Sequence, residues 1–291
     1  MGTHWKAPQS PYRVPFDGSF RIKDVPTGPE SKPDRSSLEE DLRKRVRRIS
    51  KLQKKLNADD RYSVLFVFQA MDAAGKDGTI RAVFTGVNPA GFQVFNFKEP
   101  THQDLDHDFL WRVARRLPER GRIGVFNRSH YEEVLVVRVH PEYLDAQRLP
   151  EIDMGRIWEQ RFDSIRGFEE HLNRNGTIVV KFFLNVSKEQ QKKRLLDRIE
   201  EPDSNWKFSS SDVKERALWK DYMNAFEGAL NATSRPHAPW YAVPADNKPY
   251  MRVLVAEIVE QTLKKLDVDY PEMDDDKRDV LERARHTLEQ E

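Results

Sequence analysis

The chain has 291 residues and no cysteine, and its 49 basic side chains are balanced by 48 acidic ones. That length fits one large domain or two small ones, with enough core to need no covalent staples. The missing thiols exclude a disulfide framework, a thiolate nucleophile and a zinc–thiolate centre, and the balanced charge argues against a general nucleic-acid binder.

In chain order, residues 1–34 are rich in proline and glycine and read as an extended arm with turns at "PFDGSF" and "VPTGPESKPD". A helix follows, with Ser36 or Ser37 as its cap and Glu39 or Glu40 as the reciprocal partner. Leu38, Leu42, Val46, Ile49 and Leu56 form its apolar stripe, and its other face is basic, "RKRVRRISKLQKK". "SVLFVFQ" (63–69) reads as a strand buried on both faces, followed by a small-residue loop and a helix from about Asp77 to Phe84. "GFQVFNF" and "RIGVFN" are the second and third strands, with a helix over 104–116 between them. A long helix over 150–173, the strand "TIVVKFFL", a helix capped by Ser187, the strand "YAVP" and a final helix over 249–266 complete the pattern.

Strands alternate with helices and no hairpin signal joins two strands, which predicts an α/β fold: a parallel sheet with helices on both faces. The domain is expected to span 35–270. A helical lid is expected at about 200–239, with Leu218, Tyr222, Phe226 and Leu230 on one face and Asp212 and Glu215 as a capping box. A charged tail follows over 271–291.

The loop in "FQAMDAAGKDGTI" (68–80) departs from the phosphate-loop spelling G-x-x-x-x-G-K-[ST]. Gly75 and Lys76 are in place, but Ala70 replaces the first glycine and Asp77 stands at the hydroxyl position. A strand, a tight loop and a helix start still supply inward N–H groups and a positive dipole end, to which Lys76 adds a full charge. Ala73, Ala74 and Gly75 let backbone approach phosphate, and Asp77, Gly78 and Thr79 continue the cradle into the helix. Asp72 takes over from the missing hydroxyl, because a carboxylate beside polyanions makes sense with a cation between them. The alternative is an ordinary tight turn with an exposed lysine and aspartate.

At the third strand's carboxyl end, "FNRSHYEEVLV" offers Asn127, Arg128, Glu132 and Glu133 where open α/β sheets bind ligands. Arg128 presents a planar fork for phosphate oxygens, and the glutamates can hold a cation or water. A capped helix start with surface carboxylates is the plain alternative. In the lid, Arg194 and Arg198 share a face at i, i+4 spacing and Lys207 and Arg216 follow. Such cations on a mobile cover neutralise a phosphoryl group in transfer. His130 and His237 are assigned structural roles.

These stretches, with "APWYAVPADNKPYMR" and the N-terminal "YRVPFDGSFRIKD", resemble the family 2 polyphosphate kinases over residues 10–267. The resemblance implies a P-loop kinase-like three-layer sandwich with an inserted lid, Mg2+ as cofactor, and a homo-oligomer, dimer or tetramer. It implies reversible transfer of the terminal phosphate of inorganic polyphosphate to a nucleotide. By analogy Asp72 binds magnesium and orients the acceptor phosphate, while Lys76, Arg128, Arg194 and Arg198 hold donor and acceptor phosphates, helped by Lys207. Asn127 and Glu132 face the acceptor nucleotide. Many members carry aspartate where this chain has Asn127, so Glu133 is taken as the replacement metal ligand. The "SHYEE" spelling is similar to the subgroup that phosphorylates both mono- and diphosphates, pointing to AMP and ADP, with guanine nucleotides as a second class. An ATP-dependent nucleoside monophosphate kinase and a non-catalytic polyanion binder are the rivals. The first is expected to carry a cleaner loop, and the second has no use for Asp72. No apolar run approaches the ~18 residues of a membrane span, and "MGTHWKAPQSPYRVP" lacks the apolar centre of a signal peptide. The expectation is a cytoplasmic protein with neither membrane nor nucleic-acid partner.

Overall fold

The structure, a computed structural model, describes residues 5–206 and 208–291. Its elements run α1 (Arg35–Asp59), β1 (Ser63–Gln69), α2 (Lys76–Phe84), β2 (Phe92–Asn96), α3 (His102–Leu105), α4 (Trp111–Ala114), β3 (Ile123–Asn127), α5 (Glu132–Val139) and α6 (Ile157–Arg174). They continue with β4 (Thr177–Asn185), α7 (Lys188–Glu200), α8 (Pro202–Asn205), α9 (Ser210–Ala217), α10 (Trp219–Thr233), β5 (Trp240–Pro244), α11 (Lys248–Lys264) and α12 (Asp275–Glu289).

Five strands pair in parallel in the order β2-β3-β1-β4-β5. β1 and β4 are buried along their whole length, as their unbroken apolar runs require when helices cover both faces. α1, α2 and α11 pack together as one helix layer, and α5, α6 and α10 as the other. The expected three-layer sandwich is therefore present. The chain leaves β1 toward β2 on one side and leaves β3 toward β4 on the other, so the carboxyl ends of β1 and β3 flank the switch point where such sheets bind ligands.

Local sequence sets most element ends, with four departures from expectation. Asp34, not Ser36 or Ser37, caps α1 by accepting the Ser37 amide. The stretch 104–116 breaks into α3 and α4: Thr101 and Asp104 form a capping box, and Asp108 accepts the Leu110 amide to restart the chain. The helix expected from 150 begins at Ile157, after a turn in which Asp153 accepts the Gly155 amide. In the lid, Ser209 caps α9 and the chain turns at Leu218, because Asp212 is drawn to Arg198 and Glu215 to Tyr222 and His140. Tyr222, Phe226 and Leu230 of α10 are buried in the body. The segment that covers the cleft thus ends near Leu218 rather than at 239.

Residues 5–34 lie on the body. The Val14 amide donates to the Trp240 carbonyl and the Ala242 amide to that of Tyr12, so the arm pairs antiparallel with β5. α12 is exposed along its length. No helix among the described residues is long and apolar enough to cross a membrane. Inside the body, Lys181 of β4 is fully buried. Its ammonium donates to Glu169, to the Tyr131 hydroxyl at 2.9 Å and to the Thr233 carbonyl at 2.9 Å. His130, also buried, has Nε2 3.7 Å from Glu169, in keeping with a structural role.

Candidate active site

The loop after β1 is held by its carbonyls. Lys76 Nζ donates back to Ala70 O at 2.8 Å and Met71 O at 3.4 Å. Gln191 Nε2 donates to Asp72 O at 3.1 Å. Arg194 Nη1 donates to Ala73 O and Ala74 O at 3.2 and 2.8 Å, while its Nη2 reaches Ala245 O and Asp246 O at 2.6 and 2.9 Å. With each carbonyl from 70 to 74 drawn to a donor, amides are left for an anion, and the first amides of α2 have no intrahelical acceptor in any case. Gly75 caps α2 at φ +104°, backbone that favours glycine, and a Cβ there would also press on the Met251 methyl at 3.3 Å.

Ala73 and Arg128, one on each site loop, adopt left-handed backbone at φ near +60°. Such strain costs on the order of 1–3 kcal/mol and collects at functional sites. At Arg128 it buys an orientation: the Arg128 amide donates to Phe68 O across the end of the sheet, and the side chain turns over the β1 loop. Arg128 Nη2 donates to Asp72 Oδ1 at 2.7 Å and Nη1 to Glu132 Oε2 at 3.1 Å. Glu132 and Asp72, against some cost of burial, hold the guanidinium firmly protonated. Burial and the charge of Arg128 press the Lys76 pKa down, and Asp72, Glu132 and Asp77 oppose that. The cation is thus primed for an anionic ligand. Asp72, Arg128, Glu132, Glu215, Tyr222 and Phe226 line the cleft.

Other expected site residues have different surroundings. Glu133 lies about 100° around α5 from Glu132. Its carboxylate accepts from Gln147 at 2.8 Å and pairs with Arg161 at 3.3 Å, and burial raises its pKa. It therefore does not reach the loop as a metal ligand. Arg194 is spent on backbone carbonyls and meets phosphate only through the loop it braces. Thr79 is fully buried with its hydroxyl toward Met251 Sδ, away from the cradle. Arg198 pairs with Asp212 at 2.9 Å, tying α7 to α9. Burial and nearby Asp72 raise the Asp212 pKa, against the pull of Arg198. Asn127 Nδ2 donates to Asp77 Oδ1 at 2.7 Å. Lys207 lies outside the described residues.

Sequence reasoning missed three residues. Gln191 joins Asp72 O to Arg216, whose Nη1 donates to its Oε1 at 2.8 Å. Glu215 and Tyr222 close the cleft roof by a hydroxyl–carboxylate bond of 2.5 Å. The signal for Tyr222 was a hydroxyl within an otherwise apolar stripe. Of the basic face on 43–55, Arg45 pairs with Asp41, Glu257 and Glu260, Arg48 with Glu260 and Lys55 with Asp269, so these three are tied to acids of the same chain.

The available cation donors are oxygens. Among the described residues no group of three or more His, Cys, Asp or Glu converges on one point. A cation at Asp72 would take its remaining donors from phosphate and water, which suits a small hard divalent ion such as magnesium.

The family profile described as Polyphosphate kinase 2 matches residues 32–271. The chain is 53% identical over 249 residues to a Rhodopseudomonas palustris protein named ADP-polyphosphate phosphotransferase, covering 85% of this chain and 86% of that one. It is 43% identical over 263 residues to a Meiothermus ruber protein named AMP/ADP-polyphosphate phosphotransferase, covering 90% and 95%. The crystal structure of polyphosphate kinase 2 from Arthrobacter aurescens superimposes with a TM-score of 0.85 at 36% identity, covering 97% of this chain and 99% of that one. The fold is therefore P-loop kinase-like, and the chain belongs to the polyphosphate kinase 2 family.

Proposed function

We propose that this protein transfers the terminal phosphate of inorganic polyphosphate to a nucleotide, forming ATP from ADP and ADP from AMP, reversibly and with Mg2+. The observation that carries the reading is Asp72. This carboxylate is built into an anion cradle beside Lys76 and, among the described residues, is held by Arg128 alone, at 2.7 Å, a contact that incoming phosphate and cation would replace. A passive polyanion binder gains nothing from it. An ATP-dependent monophosphate kinase fits the loop spelling less well, and polyphosphate stands in the names of the relatives described above.

Asp72 would hold the cation, which supplies charge neutralisation on the phosphate oxygens. The loop amides and Lys76 hold the donor end. Arg128, freed from Asp72, spans the phosphates and stabilises the charge that spreads over the equatorial oxygens. A terminal oxygen of the acceptor phosphate attacks in line. One P–O bond forms, the phosphoanhydride P–O bond breaks, and the chain leaves one unit shorter as an anion. The attacking oxygen is already ionised, so no general base is required. Gln191 and Arg194 position the loop, and α9, tied by Arg198 and Asp212, limits water at the cleft. We place the protein in the cytoplasm as a homodimer or homotetramer, which light scattering checks.

The test is ATP formation from ADP with magnesium, with and without long-chain polyphosphate, then AMP as sole acceptor. Polyphosphate-dependent ATP beyond ADP disproportionation is the expected result. ATP-dependent phosphorylation of a monophosphate without polyphosphate dependence would overturn it in favour of the ordinary kinase. Consumption of ADP but not AMP would narrow the acceptor to the diphosphate.

A further inference from the structure

We propose that the N-terminal arm is a working part of the active site: Thr27 on the arm and Asp246 after β5 are positioning residues that set the phosphate loop through Arg194. The proposal rests on the phosphotransfer reading and concerns two residues that the mechanism above does not use.

Arg194 grips the loop with one half of its guanidinium and is itself held by the other. Nη1 donates to Ala73 O and Ala74 O, and Nη2 to Ala245 O at 2.6 Å and Asp246 O at 2.9 Å. The donors of a guanidinium stand in a rigid planar fork. The loop carbonyls on one side can therefore be placed no better than the 245–246 carbonyls on the other. Ala73 is also the loop residue in left-handed backbone, a conformation that persists where its surroundings over-determine it.

The 245–246 carbonyls lie just beyond the end of β5, where the sheet no longer fixes the chain. Asp246 fixes it instead. Its Oδ1 accepts the Ser187 amide at 2.7 Å and its Oδ2 the Thr27 hydroxyl at 2.7 Å, while its own amide donates to Thr27 O at 2.7 Å. Hydrogen bonds to an ionised carboxylate are the stronger kind. Two of these three ties come from a residue 219 positions earlier.

The arm is anchored on both sides of the cleft. Asn185 Nδ2 donates to Val25 O and Pro26 O at 3.3 and 3.4 Å, which presents Thr27 to Asp246. Upstream, Phe20 and Asn231 exchange two hydrogen bonds of 3.0 Å, and the Ile22 amide donates to Glu227 at 2.8 Å. Asn231 and Glu227 belong to α10, the helix that brings Tyr222 to the cleft. Residues 20–27 thus join the helix of the cleft roof to the brace behind the loop. Thr27 precedes the stretch matched by the family profile, 32–271.

The experiment is a double-mutant cycle on the full chain, reading kcat for polyphosphate-dependent ATP formation. Asp246→Ala is expected to lower kcat by between about tenfold and 10²-fold, the scale of loss when a site is displaced by up to about 1 Å. Thr27→Val, which keeps the shape and removes the hydroxyl, is expected to lower it by a smaller factor. In an Arg194→Met background the Asp246→Ala loss should shrink to about twofold or less, the resolution of such cycles. A residue that only supports the fold costs the same factor with or without Arg194. Tyr241→Phe, which cuts the arm's bond at Pro8 O instead, is expected to leave kcat unchanged. Equal losses in both backgrounds, an unchanged kcat in folded Asp246→Ala, or a Tyr241→Phe loss as large as that of Asp246→Ala overturns the proposal. Should Asp246→Ala fail to fold, Thr27→Val in the two backgrounds decides. A wild type without polyphosphate-dependent transfer would remove the functional reading; the same cycle is then read as tripolyphosphate affinity by calorimetry, and the same outcomes decide the brace.

Discussion

Two ion pairs in this molecule have similar chemistry and opposite design. Lys181 and Glu169 are 0% and 1% exposed, and the lysine's three donors go to Glu169, Tyr131 and Thr233. Arg128 and Asp72 are 37% and 29% exposed at the mouth of the cleft. The first pair is closed: no group in it is free to meet a ligand, and removing one partner strands a charge in the core. The second is open: water screens it, its folding contribution is small, and phosphate and cation can replace each partner. Reading function from charge therefore depends on whether a pair can exchange its partner.

Breaking the open pair should have the largest effect. Arg128→Ala should lower polyphosphate-dependent ATP formation by about 10³-fold or more, the usual cost of a transition-state arginine in phosphoryl transfer. Urea unfolding should move by no more than about 1 kcal/mol. A fall in rate below tenfold would remove Arg128 from the chemistry. Breaking the closed pair should do the reverse. Lys181→Met should cost about 3–5 kcal/mol of stability, and adding Glu169→Leu should recover most of it, as read from urea midpoints.

The two regions should also separate in alkali. Burial pushes the Lys181 pKa down to about 8, below the roughly 10.4 of an unfolded lysine. Between those values the unfolded chain binds more protons, so this group makes stability rise with pH. At the cleft edge, burial pulls His140 down, but Glu215 at 2.9 Å and Glu142 at 3.2 Å outweigh it and raise the pKa. That contribution is fully present below the ordinary histidine value of about 6.5 and is lost as pH rises through the raised value. Urea midpoints from pH 5 to 10 for wild type, His140→Gln and Lys181→Met test both signs. The His140 difference should vanish in alkali, and a Lys181 contribution that falls above pH 8 would contradict the assignment. The smallest effect is expected at Ser187, whose side chain accepts the Gln190 amide and starts the helix carrying Gln191 and Arg194 to the loop. Ser187→Ala should cost about 1 kcal/mol, measured the same way.

The strands were legible because burial on both faces leaves an unbroken apolar run: the expected limits of β1, 63–69, are those observed. The Ser187 cap was legible for a similar local reason. That Asp72, Lys76 and Arg128 share one cleft was legible because loop and strand end lie beside recognisable strands. Orientation was harder. "EE" at 132–133 offers two equal carboxylates, and only the phase of α5 sends one to the cleft and the other to Arg161. Arg194 and Arg198 look alike in sequence, yet one braces carbonyls and the other pairs with Asp212, because their partners are 14 to 121 positions away. Asp212 and Glu215 fit a capping pattern, but tertiary partners outbid the local amides.

The arm along β5 has a consequence for how the protein is made. The Tyr241 hydroxyl bonds Pro8, 233 positions earlier, and the Trp5 indole donates to Thr262 O, 257 positions later. Residues 5–34 leave the ribosome well before residues 240–262 and cannot dock until nearly the whole sheet has followed them. Until then the far edge of β5 lacks its cover, and an uncovered edge invites pairing with another chain. Docking of residues 5–34 is thus a late step in maturation, and a nascent chain halted before residue 240 would have nowhere to put them.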